Sequence, residues 1–120
     1  MALIAQLLVG VVMLIHVYIV LIETVLFKSR GRKVFGVSDD RVNEVAVMFS
    51  NQGCYNGFLV AALALSLLLS NPVTAQAFAV FGLVCVAIAG LWGAITVSKR
   101  ILFVQTVPAV AGLVAHFWAY

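Results

Sequence analysis

The chain has 120 residues, of which 65% are hydrophobic and only 9% are charged. A typical soluble domain carries about 25% charged residues, and a domain of this length has too little interior to bury so much apolar surface. The composition therefore excludes a soluble globular protein and predicts that lipid is the solvent for most of the chain. The length allows one domain, residues 1–120, and no separate soluble module.

The first apolar run covers residues 2–27. About 20 apolar residues suffice to cross the hydrocarbon core of a bilayer, so this run predicts a first membrane span. It is too long for the apolar region of a signal peptide and no Lys or Arg precedes it, so we expect it to remain attached. Its polar interruptions are Gln6, His16, Tyr18, Glu23 and Thr24.

A polar connection at residues 28–41 follows, and it ends in a helix-start signal. Ser38 precedes two acids, and acids are favourable at the positive end of a helix dipole. The second helix is therefore predicted to begin near residue 39, with its membrane-spanning part at about residues 43–70. The pair Asn71-Pro72 then indicates a tight turn.

The remaining apolar sequence is long enough for two further spans. One continuous helix over residues 73–120 would be about 72 Å long at 1.5 Å per residue, whereas the hydrocarbon core is about 30 Å thick. The charged pair Lys99-Arg100 would lie in the middle of that helix. The chain is therefore expected to reverse at residues 98–100, which gives spans at about residues 73–98 and 101–120.

The basic residues set the orientation. All seven Lys and Arg lie in residues 28–41 and 98–100, and none lies at either end of the chain or in the turn between the second and third spans. Connections rich in Lys and Arg stay in the cytoplasm. The sequence thus predicts an all-α, integral membrane four-helix bundle with both termini outside, and it predicts no nucleic-acid partner.

Polar side chains recur at one depth in the cytoplasmic half of all four predicted spans. Unpaired polar groups in hydrocarbon cost several kcal/mol each, so we expect them to converge into a polar pocket. On the second helix, a spacing of 100° per residue places Asn51 and Tyr55 on one face and Gly53 on the opposite face, where a neighbouring helix fits. The predicted pocket residues are Glu23, Asn51, Gln52, Tyr55, Asn56, Thr96 and Gln105.

Glu23 is the strongest candidate for chemistry, because an intramembrane carboxyl group is a functional-site hypothesis by default. His16 lies seven residues earlier and projects within about 20° of it. We predict that Glu23 and His16 act as an acid–base pair and that the amide and hydroxyl side chains bind the ligand. His116 is interpreted as a solvated or hydrogen-bonded residue near the outer interface. Isolated Cys54 and Cys85 indicate no metal site, and no cofactor is expected.

Several polar blocks are similar to those of a known family. They are His16-Val-Tyr18-Ile with Glu23 and Phe27, Gly31-Arg-Lys-Val-Phe35-Gly36, Asn51-Gln52-Gly53-x-Tyr55-Asn56-Gly57-Phe58-Leu59, Gly93-x-x-Thr96 and Ile101-Leu102-x-x-Gln105-x-x-Pro108-Ala109. Together they make the chain resemble the bacterial four-span membrane family filed as domain of unknown function 1304. The resemblance covers essentially the whole chain and implies a multi-pass protein of the bacterial cytoplasmic (inner) membrane without an established activity.

Three functions remain open from the sequence. The first is a pocket that binds, and in one version isomerises, a small amphipathic molecule. The second is proton-coupled transport of a small molecule by an oligomer, with protons passing through Glu23 and His16. The third is an accessory subunit that docks on a larger membrane complex through the G-x-x-x-G pair Gly53 and Gly57. Membrane lipid and a second copy of the chain are the expected partners.

Overall fold

The computed structural model describes residues 2–120, and over that range it contains helices and turns but no strand. The all-α prediction is confirmed. The helical elements are α1 (Ala2–Glu23), π1 (Phe27–Gly31), α2 (Arg32–Val34), α3 (Val42–Leu68), α4 (Pro72–Thr96), π2 (Leu102–Thr106) and α5 (Val107–Ala119).

Three helical stretches are long and apolar enough to cross a membrane, namely Ala2–Glu23, Pro72–Thr96 and Leu102–Ala119. They mark the chain as a membrane protein. The helix Val42–Leu68 has the length but is less apolar, because Asn51, Gln52 and Asn56 lie near its middle.

The chain divides into two compact units. The helical unit comprises the residues up to Ile15 and Leu59–Tyr120, and the hairpin unit comprises His16–Phe58. Leu63 and Leu83 are fully buried in the core of the helical unit, and small residues make room for them. A Cβ atom on Gly82 would lie 2.8 Å from Leu63 Cδ2, and one on Gly112 would lie 3.2 Å from Leu83 Cδ1. The core residues are Val9, Val12, Leu63, Ala79, Leu83, Val86 and Ala109.

Pro108 lies in the first turn of α5 and has no backbone N–H to donate. The π-helical turn π2 lies immediately before α5, next to this missing donor. Such turns occur as local insertions in α-helices. Thr106 Oγ1 donates to the carbonyl oxygen of Ala87 at 3.0 Å, and a Cβ on Gly90 would overlap Thr106. Thus π2 lies directly against the middle of α4.

The turn before α4 is held by local capping. The side chain of Asn71 accepts a hydrogen bond from the backbone N–H of Thr74 at 3.0 Å, and Pro72 occupies the first turn of the helix. An Asn cap followed by Pro is a favoured way to begin a helix, because Pro lacks the N–H that would otherwise go unpaired there.

Candidate functional site

The hairpin unit reverses the chain between α1 and α3 through π1, α2 and a short loop. α1 ends at Glu23, four residues before the predicted end of the first apolar run. The loop contains Gly36 at φ +69°, a left-handed conformation that favours glycine. Glu23 therefore stands at the end of a long apolar helix, directly before the reversal.

π1 folds back onto the last turn of α1. Gly31 is buried, and a Cβ at this position would overlap the carbonyl oxygen of Ile22. Phe27 is also buried, and its ring stacks on Phe49 of α3 with centroids 4.5 Å apart. Phe35 lies on the same ring at 4.8 Å. These aromatic contacts fix the approach of α3 to the reversal.

α1 and α3 approach each other closely at Gly53. A Cβ there would lie 2.5 Å from Thr24 Cγ2, 3.1 Å from Glu23 Cβ and 3.5 Å from the carbonyl oxygen of Val20. A Cβ on Gly57 would meet no atom of the described residues within 4 Å. Only the first glycine of the G-x-x-x-G pair is thus required by a close approach within the unit.

One turn along α3 from Gly53, Asn56 Nδ2 donates a hydrogen bond to Glu23 Oε2 at 2.7 Å. Glu23 is 6% exposed and Asn56 is 9% exposed. A buried carboxyl group needs such a partner, because leaving it unsatisfied is expensive. A carboxamide offers both a donor and an acceptor, so Asn56 can bond Glu23 in either protonation state of the carboxyl group.

Asn56 and Gly53 face α1 together, as residues three apart on a helix do. A spacing of 100° per residue predicts instead that Asn56 adjoins the face that contains Asn51 and Tyr55. In the structure Asn51 and Tyr55 are exposed, as is Gln52. Of the residues predicted to bind a ligand, Asn56 is the one that the hairpin unit holds against Glu23.

The other predicted site residues lie on α1, on α4 and in π2. His16 is fully buried on α1, and the seven-residue spacing separates it from Glu23 by about 10 Å along the helix axis. Thr96 is exposed, and its hydroxyl donates to the carbonyl oxygen of Trp92 at 2.8 Å. Gln105 is half-buried in π2, beside Gly90 of α4. Thr96 and Gln105 both belong to the helical unit.

The model of the family described as "Protein of unknown function (DUF1304)" matches residues 10–117. The chain belongs to this family. No curated protein and no solved structure matches it. Several residues that carried the resemblance make contacts in the hairpin unit of this DUF1304 protein: Glu23 bonds Asn56, Phe27 and Phe35 pack on Phe49, and Gly31 and Gly53 allow close approaches.

Two basic residues of the DUF1304 hairpin make contacts within the protein. Arg30 Nε donates to the hydroxyl oxygen of Tyr18 at 2.7 Å, and its guanidinium lies 5.7 Å from the centre of that ring. Arg32 forms an ion pair with Asp39 across the loop. A hydrogen bond from the Ser38 side chain lowers the pKa of Asp40 from its ordinary value. No local pattern predicts the Tyr18–Arg30 contact, because the two residues lie on either side of the reversal.

The prediction that His116 is solvated or hydrogen-bonded is wrong for the described residues. It is 5% exposed, and neither ring nitrogen has a hydrogen-bond partner among the described residues of this DUF1304 protein. Its ring lies 4.9 Å from that of Tyr120. Its position near the chain end suggested solvent, but the buried face of α5 includes it together with Ala109, Gly112 and Ala115.

Proposed function

We propose that this DUF1304 protein crosses the bacterial cytoplasmic membrane four times, as one transmembrane domain with both termini outside. The 27 residues of Val42–Leu68 make a helix of about 40 Å, against a hydrocarbon core of about 30 Å. Its polar residues are tolerable because Asn56 is bonded within the protein and because its first turns can project beyond the core. The basic residues in the connections at residues 28–41 and 98–100 support a cytoplasmic location for both connections.

Cysteine labelling of intact cells tests this topology. In a Cys54→Ser/Cys85→Ser background, Val73→Cys marks the first turn of α4 and Lys33→Cys marks α2 in the reversal between α1 and α3; both native residues are exposed. A membrane-impermeant maleimide should label Val73→Cys only. Labelling of Lys33→Cys only would indicate the opposite orientation, with both termini in the cytoplasm. Labelling of both sites would contradict the second crossing.

We propose further that the Glu23–Asn56 pair binds the polar group of a small amphipathic molecule. The observation that carries the proposal is the buried carboxyl–amide hydrogen bond at the end of an apolar helix. A salt bridge would fix the charge of the carboxyl group, whereas an uncharged amide partner leaves it free to exchange a proton. A carboxyl group with that freedom, next to apolar surface, suits a ligand that has both a hydrogen-bonding head and an apolar body.

In this proposal Glu23 holds or moves the proton and Asn56 orients the bound group. Removal of a proton from one carbon and its return to another, an isomerisation, requires a single positioned acid–base group. His16 is proposed as the second proton-holding group on α1. Asn51, Gln52 and Tyr55 of α3 are proposed as further ligand contacts, and the predicted ligand contacts of Thr96 and Gln105 stay predictions.

Native mass spectrometry of the purified protein tests the proposal. Glu23→Gln keeps an oxygen that can accept from Asn56 but removes the exchangeable acidic proton, so we expect a co-purified molecule to be lost while the fold remains. Glu44→Gln is the matched control, because Glu44 is an exposed carboxylate in the first turn of α3. Equal ligand retention in both variants, or no bound molecule in the native protein, would contradict the binding proposal.

A flux assay with the same purified protein distinguishes transport from binding or isomerisation. A proton gradient imposed across proteoliposomes should drive no net flux of the co-purified molecule if the protein is a binding protein or an isomerase. Flux that depends on the gradient and is lost in Glu23→Gln, but not in Glu44→Gln, would identify a proton-coupled transporter instead.

A further inference from the structure

The side chain of Arg30 reaches back from π1 along α1. Its Nε donates to the hydroxyl oxygen of Tyr18 at 2.7 Å, and its guanidinium carbon lies 5.7 Å from the centre of the Tyr18 ring. Tyr18 precedes the last residue of α1 by five positions, which is about 7.5 Å along the helix axis. Both residues belong to the hairpin unit. The phenol therefore holds the charged group of Arg30 beside a long apolar helix.

The face of α1 that includes Tyr18 is exposed. Tyr18 is 40% exposed, and Leu21, three residues further along the same face, is 39% exposed. Arg30 is exposed as well. Because α1 is long and apolar enough to cross a membrane, we expect this face to contact lipid. Tyrosine rings on such helices are enriched at the level of the lipid headgroups, which is also the level of the lipid phosphates.

No acidic side chain of the chain neutralises Arg30. The sequence has four acidic residues, and each has another partner. The partners are Arg32 for Asp39, Arg41 for Glu44, Ser38 for Asp40 and Asn56 for Glu23. Among residues 2–120, no ion pair includes Lys28, Arg30 or Lys33. A guanidinium next to lipid is unfavourable without a counter-charge, so its anion must come from outside the chain.

The contact with Tyr18 leaves one edge of the guanidinium available. The group carries N–H donors on Nε, Nη1 and Nη2, and the bond to Tyr18 uses Nε. Within the described part of the chain, no hydrogen bond uses Nη1 or Nη2 of Arg30. These two nitrogens form a fork that matches two oxygens of a phosphate group. Because Tyr18 already orients the fork, binding costs less side-chain freedom than it would for an unrestrained arginine.

We propose that Arg30 and Tyr18 form a binding site for the phosphate of an anionic phospholipid, in the leaflet that contains the reversal between α1 and α3. A zwitterionic headgroup brings its own ammonium group, whereas an anionic one takes its counter-charge from the protein. Lys28 and Lys33 add positive charge to the same reversal, and both are exposed. Leu21 offers apolar surface to the acyl chain of the bound lipid.

Native mass spectrometry of the full chain in detergent micelles tests this site. The probes are phosphatidylglycerol and phosphatidylethanolamine with the same acyl chains. We expect phosphatidylglycerol to bind at least about fivefold more tightly, and Arg30→Gln to weaken its binding by about fivefold. Arg41→Gln is the matched control, because it removes an exposed basic side chain from the same connection, but one that is already paired with Glu44. Equal losses in both variants would indicate only a diffuse effect of charge and would overturn the proposal, as would equal affinity for the two lipids.

Tyr18→Phe tests whether the arginine must be positioned, and it serves if circular dichroism shows that Arg30→Gln does not fold. This variant keeps the ring and every charge but removes the hydroxyl that accepts from Arg30. We expect it to bind phosphatidylglycerol about threefold more weakly, as for the loss of one hydrogen bond; unchanged binding would overturn the site. An excess of inorganic phosphate should not displace phosphatidylglycerol, and displacement would identify a free anion as the ligand and overturn the lipid assignment.

Discussion

The two glycines one turn apart on α3 should respond to the same substitution in opposite directions. Gly57→Ala replaces a helical glycine where a Cβ meets none of the described atoms within 4 Å, so we expect a gain of up to about 1 kcal/mol from helix propensity. Gly53→Ala receives the same propensity gain but places its Cβ 2.5 Å from Thr24 Cγ2. The atoms around Gly53 must therefore shift to make room for the added methyl group.

The methyl group of Thr24 cannot turn away without loss, because its hydroxyl donates to the carbonyl oxygen of Val20 at 2.6 Å. Overpacking of this kind costs about 1–3 kcal/mol. The propensity term is common to both variants, so the free energy of unfolding of Gly53→Ala should be about 1–3 kcal/mol below that of Gly57→Ala. Adding Thr24→Ser removes the obstructing methyl group, keeps the hydroxyl and should restore part of the difference.

Unfolding in mixed micelles with increasing SDS, followed by circular dichroism, measures these free energies. The double variant Gly53→Ala/Thr24→Ser provides the specific check, because a general effect of a larger residue on α3 would not respond to a change at Thr24. Equal stability of Gly53→Ala and Gly57→Ala would refute the close approach of α1 and α3 in the hairpin unit.

Three further predictions follow from single contacts. Gly31→Ala should destabilise the protein by more than Gly53→Ala in the same micelle assay, because its Cβ overlaps backbone rather than a side chain; equal losses would contradict this. Thr106→Val should cost about 1 kcal/mol through loss of the bond to Ala87, and an unchanged unfolding curve would argue against that bond. Ser38→Ala should raise the pKa of Asp40, measured by carbon NMR of the carboxyl group. Because the folded-state pKa is the lowered one, this bond stabilises the loop above the ordinary value of 3.8 and is lost as the pH falls through the folded-state value.

The helical class and the family were predictable because both depend on local sequence. Long apolar runs can satisfy their backbone in lipid only as helices or closed barrels, and runs of this length indicate helices. Caps such as Asn71 are likewise local, since the residue bonds a backbone group three positions away. The family blocks are continuous strings of residues that require no knowledge of how the helices pack.

The partner of Glu23 was harder to predict. α3 is apolar over much of its surface, so periodicity gives no sharp distinction between a lipid-facing and a protein-facing side. The helical spacing therefore predicts only that Asn56 adjoins the face of exposed Asn51 and Tyr55, whereas the close approach at Gly53 turns it toward α1. The direction of that approach depends on the π-helical reversal and on the ring of Phe49, neither of which apolar spacing reveals.

His116 shows the same limit at the other end of the sequence. A polar residue near the end of an apolar run is expected to reach the interface, and the position of His116 along the chain does not indicate that it is buried. The small residues Ala109 and Gly112 lie on its face of α5 and are buried with it. That stripe was visible in the sequence and was the available signal.

The measurement that tests the account most directly is the contact between Glu23 and Asn56 in a lipid bilayer. Solid-state NMR dipolar recoupling between the ¹³C-labelled carboxyl carbon of Glu23 and the ¹⁵N-labelled side-chain amide of Asn56 should show a strong coupling, consistent with the 2.7 Å hydrogen bond. The coupling should persist in Gly57→Ala. Its absence in the native protein would contradict the buried pair and, with it, the proposed site.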